Sequence, residues 1–500
     1  MSLPLPLPLH LPLDRHRPFR PSPVLAVVAV VALLALPVSP AGDGGAGPAD
    51  AMSALVVVFC VVRLLRARRR PLTPAAAVIL GLPVAGFALA AMGAVSPAEG
   101  IAGLGRYLQV FVLVPGAVLL LVRDRRDFRL LAWSFVGLAL WQGAIGVEQY
   151  LTRTGASYQG EDIRAVGTFG AQDVMGMATV VSLGLLCATG LALGRSAKAA
   201  PENSGESGKT GESEKTGESE KTGESEKTGE SEKTGESEKT GESEKSGESG
   251  KFGKSPARER AVATACALAL LLPLALSFSR GAWIATAVAL VLQLALSGPR
   301  RALKVGAAVV AAGVVLVGGL GVGTAMLQER IDSITRVADA PDQSVTDRYT
   351  MWAAATDMWR QHPLTGVGLK GFPEYRDGHA SLALSSGSDT EGAGAAFRRQ
   401  PLLSPHNMYL LVLSEQGLIG LLCLAGGWLA LLVCALRGLR RGRRSGRGRE
   451  CALVGCGLLV WLLVDFAYAD IGGPSTVLTG VALGLVAWWS LVGTEEAAAR

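Results

Sequence analysis

Apolar residues in this chain run in long uninterrupted blocks, with neither the three-and-four spacing of a half-buried helix nor the alternation of a strand, and the blocks recur from residue 24 to residue 493. A hydrocarbon core about 30 Å thick takes roughly 20 apolar residues per helical crossing. Twelve blocks approach that length, at 24–39, 51–66, 73–94, 100–122, 129–149, 171–194, 261–278, 281–297, 302–324, 416–436, 451–469 and 474–493. The pattern predicts an all-α polytopic membrane protein with about 12 transmembrane helices. Six fall in 24–194, three in 261–324 and three in 406–493, with short tails at 1–23 and 494–500.

Two hydrophilic segments interrupt the blocks. Within the linker 195–260, residues 205–251 repeat G-E-S-E-K-T about eight times without one apolar residue. Such a tract cannot bury a core and is expected to be disordered. The segment 325–405 differs, because Trp352, Trp359, Phe372, Tyr375 and Phe397 stand among its polar residues. Its stretch VTDRYTMWAAATDMWRQHP predicts an amphipathic helix ended by Pro363, in one large, partly helical loop. An ordered loop of that length usually carries function.

Composition fits a membrane chain, since 49% of the 500 residues are hydrophobic and only 18% charged. The formal charge of +6 does not point to nucleic acid, because the basic residues sit on alternate connectors. Arg15, Arg17 and Arg20 precede the first block, and Arg63 to Arg70 follow the second. Arg123 to Arg129 follow the fourth, Arg300, Arg301 and Lys304 the eighth, and Arg437 to Arg449 the tenth. Short loops rich in Lys and Arg stay in the cytoplasm. Both termini and the repeat linker are therefore expected in the cytoplasm, and 325–405 on the extracytoplasmic face of the cell membrane. Residues 15–36 also have the layout of a secretory leader, but no small-x-small cleavage site directly follows them. The seven cysteines fall in or beside apolar blocks without metal-type spacing, which excludes a disulfide scaffold and leaves no predicted metal site.

Three groups expected on the outer side could carry chemistry. Arg280 occupies a tight turn in Ser277-Phe278-Ser279-Arg280-Gly281-Ala282-Trp283, Arg348 lies on the loop helix, and His406 stands in Ser404-Pro405-His406-Asn407 where the loop returns to a helix. A guanidinium presents a fixed fork of donors to phosphate oxygens, and a neutral imidazole can take a proton from a hydroxyl near pH 7. An arginine at a span end can equally be an anchor snorkelling to the interface, and a histidine after proline can simply start a helix. Ser279, Asn407 and Trp352 flank the three as further candidates for substrate contact. Arg106, inside the fourth block, should face either substrate or a carboxylate, with Glu148, Asp173, Glu415 and Asp465 as candidates. Ser207-Gly208-Lys209-Thr210 imitates the end of a P-loop but lacks the earlier glycine and a preceding strand. Gly366-Val367-Gly368-Leu369-Lys370-Gly371 matches G-x-G-x-x-G in a loop where a tight turn is the simpler reading.

The series S-F-S-R-G-A-W at 277–283, R-Y-x-M-W-x-x-A at 348–355, H-P-L-T-G-V-G-L-K-G-F at 362–372 and S-P-H-N-M-Y-L-L-x-L-S-E-Q-G-L-I-G at 404–420 resembles the O-antigen ligase and O-antigen polymerase superfamily. The resemblance implies an inverting glycosyltransferase that needs no metal, ATP or other cofactor. Its donor would be a glycan on polyprenyl (undecaprenyl) diphosphate, and its acceptor a hydroxyl of a glycan, lipid or protein. It further implies that Arg280 and Arg348 hold the diphosphate and that His406 activates the acceptor. The resemblance leaves ligase, polymerase and protein O-oligosaccharyltransferase open. A polytopic solute or anion transporter is the rival of another class, and it would place polar residues at the midplane of several spans.

Overall fold

The computed structural model describes residues 22–37, 47–67, 72–158, 161–194, 256–314, 343–381, 384, 402–445 and 448–492. Residues 1–21 of the expected N-terminal tail, the whole expected C-terminal tail, nearly all of the repeat linker, the end of the ninth apolar block and most of 382–401, with Phe397, lie outside them.

Among the described residues eight helices are long and apolar enough to cross a membrane. They are α2 (Pro48–Ala67), α3 (Pro74–Met92), α4 (Pro97–Leu121), α5 (Arg125–Thr152), α6 (Gly176–Gly194), α7 (Pro256–Leu276), α8 (Arg280–Ser297) and α12 (Met408–Ser445). Four apolar helices are shorter, namely α1 (Leu25–Leu33), α9 (Pro299–Val314), α13 (Arg449–Asp465) and α14 (Thr476–Leu491). The chain is thus helical and multi-pass, and among the described residues eight helices, against about 12 expected, have full spanning length. For α13 and α14 the reason is local, because residues 466–475 leave the helical path and fold as a connecting loop. The helix starts carry ordinary signals: Thr73 and Ser96 each cap a helix that begins with proline, and Asp124 accepts hydrogen bonds from the Arg126 and Asp127 amides.

The most enclosed span is α6, which packs on α5, α7, α8 and α13. Its small residues allow this: a side chain at Gly184 would overlap Ala139 of α5, and one at Gly190 would overlap Val454 of α13. Close backbone approach of this kind is how helices associate where no hydrophobic drive separates protein from lipid. The second half of α4 packs against α14 after a π-helical turn at Gln109–Leu113. One departure from all-helical structure is a two-stranded hairpin, β1 (Ala156–Tyr158) with β2 (Glu161–Arg164), between α5 and α6.

The expected amphipathic helix is α10 (Gln343–Gln361), whose buried face is Asp347, Thr350, Met351, Ala354, Ala355 and Met358 and packs on α12. Tyr349 and Ala353 on the opposite side are exposed. After Pro363 the G-x-G-x-x-G run makes the turn inferred for it and leads into α11 (Phe372–His379), with Phe372 wholly buried. The turn lies against a break in α12 at Gly417 (φ 64°, ψ −166°), where the Val367 and Gly368 amides donate to the Ser414 and Glu415 carbonyls at 2.9 Å each. On its other side the Leu369 amide donates to the Ala90 carbonyl of α3 at 3.1 Å. The motif therefore serves backbone-to-backbone packing.

Gly368 adopts φ +92°, and a Cβ there would overlap the Gly93 carbonyl. Gly368→Ala is expected to cost about 1–3 kcal/mol, read as a lower thermal unfolding midpoint in detergent, whereas substitution at Gly378, where nothing crowds the Cβ, should leave the midpoint unchanged.

Candidate active site

His406 and Asn407 form the entry to α12. Asn407 caps the helix, its side-chain oxygen accepting from the Leu410 amide at 3.0 Å. His406, just before it, takes a left-handed φ of 47°, a conformation that costs a non-glycine residue energy and is held only when its surroundings over-determine it. Two neighbours supply that restraint. From α10, the Trp352 indole N–H donates to the Pro405 carbonyl at 2.8 Å. From the loop after α13, the Phe466 and Ala469 carbonyls both accept from the Met408 amide, at 2.8 and 3.0 Å.

The second restraint brings Asp470 to the histidine. Its Oδ2 lies 3.9 Å from His406 Nδ1 and also accepts from the Ser404 hydroxyl. Arg348, one helical turn before Trp352 on the same side of α10, is close enough for its charge to act on the imidazole. Desolvation holds the His406 pKa below its ordinary 6.5; the Asp470 charge pulls it back up, and the Arg348 charge lowers it further. Neutral imidazole is the form favoured near pH 7.

Arg280 is the first residue of α8, presented by a turn in which Phe278 has φ 49°. Ser279 caps that helix, accepting from the Ala282 amide at 3.4 Å, and is itself buried. The next residue, Gly281, lies against Tyr468, where an added Cβ would come within 2.9 Å of the tyrosine Cβ. The turn is braced from below by Arg164 of β2, which donates to the Ser277 carbonyl and the Met175 sulfur at 3.0 Å each.

Arg106 does not pair with any of the four carboxylates considered for it. Its Nη1 donates to Asp50 at 2.5 Å and to Gln109 at 3.1 Å, and its Nη2 to the Gly473 carbonyl at 3.0 Å. Asp173, one of the four, instead accepts from the Ser475 amide at 3.0 Å. Burial pushes its pKa up to about 6 against the hydrogen bonds from Ser475 and Gly176 and the nearby Arg106 charge. Glu415, another of the four, accepts from the Phe372 amide at 3.3 Å.

His406 and Arg348 are thus brought together, and Gly281, the residue after Arg280, packs on Tyr468 of the loop that carries Asp470. Trp352, Ser279 and Asn407 spend the hydrogen bonds described here on the protein's own backbone and on Met175, placing the other groups. Asp470, Arg164 and Asp50 escaped the sequence reading. Y-A-D-I-G-G-P at 468–474 looks there like a featureless outer connector, and no local pattern marks Arg164 or Asp50.

Arg449, of the basic connector before α13, lies at the other end of α8 from Arg280. Arg280 begins α8 and Ser297 ends it, about 26 Å away at 1.5 Å per residue. At that far end Arg449 donates to the Ser297 carbonyl. Arg449 in turn begins α13, whose last residue, Asp465, leads into the loop carrying Asp470.

A protein-family model described as O-antigen ligase matches residues 265–425, a stretch that contains Arg280, Arg348 and His406. Comparison with curated proteins gave no match. Arg164→Lys, which keeps the charge but loses the fork spanning Ser277 and Met175, is expected to loosen the Arg280 turn; faster amide exchange at residues 276–280 than in the unaltered protein would show it.

Proposed function

We propose, from the match of residues 265–425 to a family model described as O-antigen ligase, that this chain transfers a glycan from a polyprenyl (undecaprenyl) diphosphate to an acceptor hydroxyl at the extracytoplasmic face of the cell membrane. The observation that carries the reading is the histidine between an acid and a guanidinium: His406 is faced by Asp470 and lies within the field of Arg348, and the loop that carries Asp470 packs through Tyr468 on Gly281, the residue after Arg280. The separation of this cluster from the basic connectors supports the side, since those connectors remain cytoplasmic.

In this reading Arg280 and Arg348 bind the donor's diphosphate and offset the charge that grows on it. The acceptor oxygen attacks the anomeric carbon from the face opposite the leaving group and inverts it. Its proton passes to His406 as the carbon–oxygen bond to phosphate breaks, and the bonding electron pair stays with the polyprenyl diphosphate. With Nδ1 turned towards Asp470, Nε2 is the nitrogen that takes the proton, and the carboxylate stabilises the imidazolium. Near pH 7 the depressed pKa keeps the base in its working form. The activated donor supplies the driving force, so neither nucleotide nor metal has a part in the step. The acceptor is a glycan, a lipid or a protein side chain, which corresponds to polymerase, ligase or protein O-oligosaccharyltransferase activity.

Purified protein incubated with a polyprenyl-diphosphate glycan and acceptor, without added metal or ATP, should release the diphosphate lipid and form a glycosidic product. Arg280→Ala, Arg348→Ala and His406→Ala should each lower turnover by at least about 100-fold in protein that still folds in the membrane. Wild-type product from any one of them removes that residue from the mechanism. Turnover should rise with pH along a limb whose midpoint lies below 6.5, because the base must be neutral and its pKa is depressed. Asp470→Asn, which removes the one charge raising that pKa, should move the limb to lower pH and slow the plateau.

A further inference from the structure

The loop at 466–475 is held at both ends. At its start are the two hydrogen bonds from the Met408 amide and the stacking of Phe466 on Trp428, with ring centroids 5.0 Å apart and planes 18° from parallel. Its far end is gripped by charged groups from elements outside the proposed active site. Arg106 of α4 donates to the Gly473 carbonyl, and Asp173 accepts from the Ser475 amide, each at 3.0 Å. Gly473 has φ +75°, and a Cβ there would stand 2.6 Å from the Asp173 carboxyl carbon, so the backbone lies directly on that carboxylate.

Arg106 is itself fixed in place. Asp50, at the start of α2, receives it at 2.5 Å and also accepts from the Gly47 amide at 3.0 Å and the Gln109 side chain at 2.9 Å. Gln109 donates as well to Ser53 at 2.9 Å. Asp50 and Ser53 are both buried. A guanidinium whose fork is divided between a buried carboxylate on one side and a loop carbonyl on the other is a strut. Its length and direction are set by α2 and α4, and it ends three residues from Asp470.

Resting on the transferase reading, we propose that Arg106 and Asp50 are positioning residues of the reaction: the ion pair fixes the 466–475 loop so that Asp470 faces His406, and Arg106 makes no contact with the donor. The cost of a charge pair near the membrane then has a return in the geometry of the base.

Kinetics and amide exchange on the full-length purified protein separate this from direct diphosphate binding. Arg106→Gln and Asp50→Asn should each lower kcat by about 10- to 100-fold, the scale expected when a catalytic group is displaced by about an ångström, with donor KM changed less than about twofold. Because both remove one strut, the double variant should be no slower than the worse single one. A rise in donor KM at unchanged kcat in Arg106→Gln, wild-type turnover in Asp50→Asn, or multiplying effects in the double variant would each overturn the proposal. In both single variants the amides of residues 466–475 should exchange faster than in the wild type while those of α6 keep their protection; unchanged loop protection overturns it as well. That exchange readout needs no transfer, so a protein that never forms a glycosidic product would sink the proposed function and still leave the strut to be judged. If Arg106→Gln fails to insert, Arg106→Lys serves the same comparison, since an ammonium can reach Asp50 but lacks the fork that also spans Gly473.

Discussion

One backbone amide organises the end of this protein that carries His406. The Met408 N–H belongs to the first turn of a helix, where no carbonyl of that helix can accept it, and it is satisfied by the Phe466 and Ala469 carbonyls of a loop far along the chain. Through that pairing the helix entry holding His406 and the loop holding Asp470 cannot drift apart without leaving a polar group unpaired in an enclosed place, a loss of about 1–3 kcal/mol. The left-handed backbone of His406 is sustained by the same arrangement, together with the Trp352 indole that grips the preceding carbonyl.

The loop is also where otherwise separate elements meet. Tyr468 lies against the start of α8 and so locates Arg280; Phe466 stacks on Trp428 of α12; Gly473 and Ser475 are held by Arg106 and Asp173. Contacts confined to neighbouring spans could not bring α4, α8, α12 and the turn before α6 onto one loop. Shortening α13 and α14 to 17 and 16 residues frees the residues that do so.

Charge is distributed to match. Arginines of the connectors engage carboxylates and carbonyls at one end, as Arg129 does with Glu259, Arg123 with Asp127 and Arg449 with Ser297. His406 and Asp470 meet beyond the other end of α13 from Arg449, with the Arg348 charge acting on the imidazole. Arginine thus serves two purposes, pairing within the described connectors and tuning the histidine.

The amino-acid sequence alone determined the helical membrane class, the amphipathic helix ended by Pro363, the tight turn in the glycine run, and the candidacy of Arg280, Arg348 and His406. Each of these is written locally, in apolar block length, in turn residues or in short motifs that fall within residues 265–425, the stretch matched by a family model described as O-antigen ligase. The tertiary structure decided the rest. Asp470 opposes His406, Asp50 takes Arg106 in place of four plausible carboxylates, and Arg164 braces the Arg280 turn, because partners separated by 56 to 113 positions meet only through packing. Span length, too, was settled there: an apolar run continues through residues 466–469 in composition, yet its backbone leaves the helix, since hydrogen bonds to Met408 compete successfully with another helical turn.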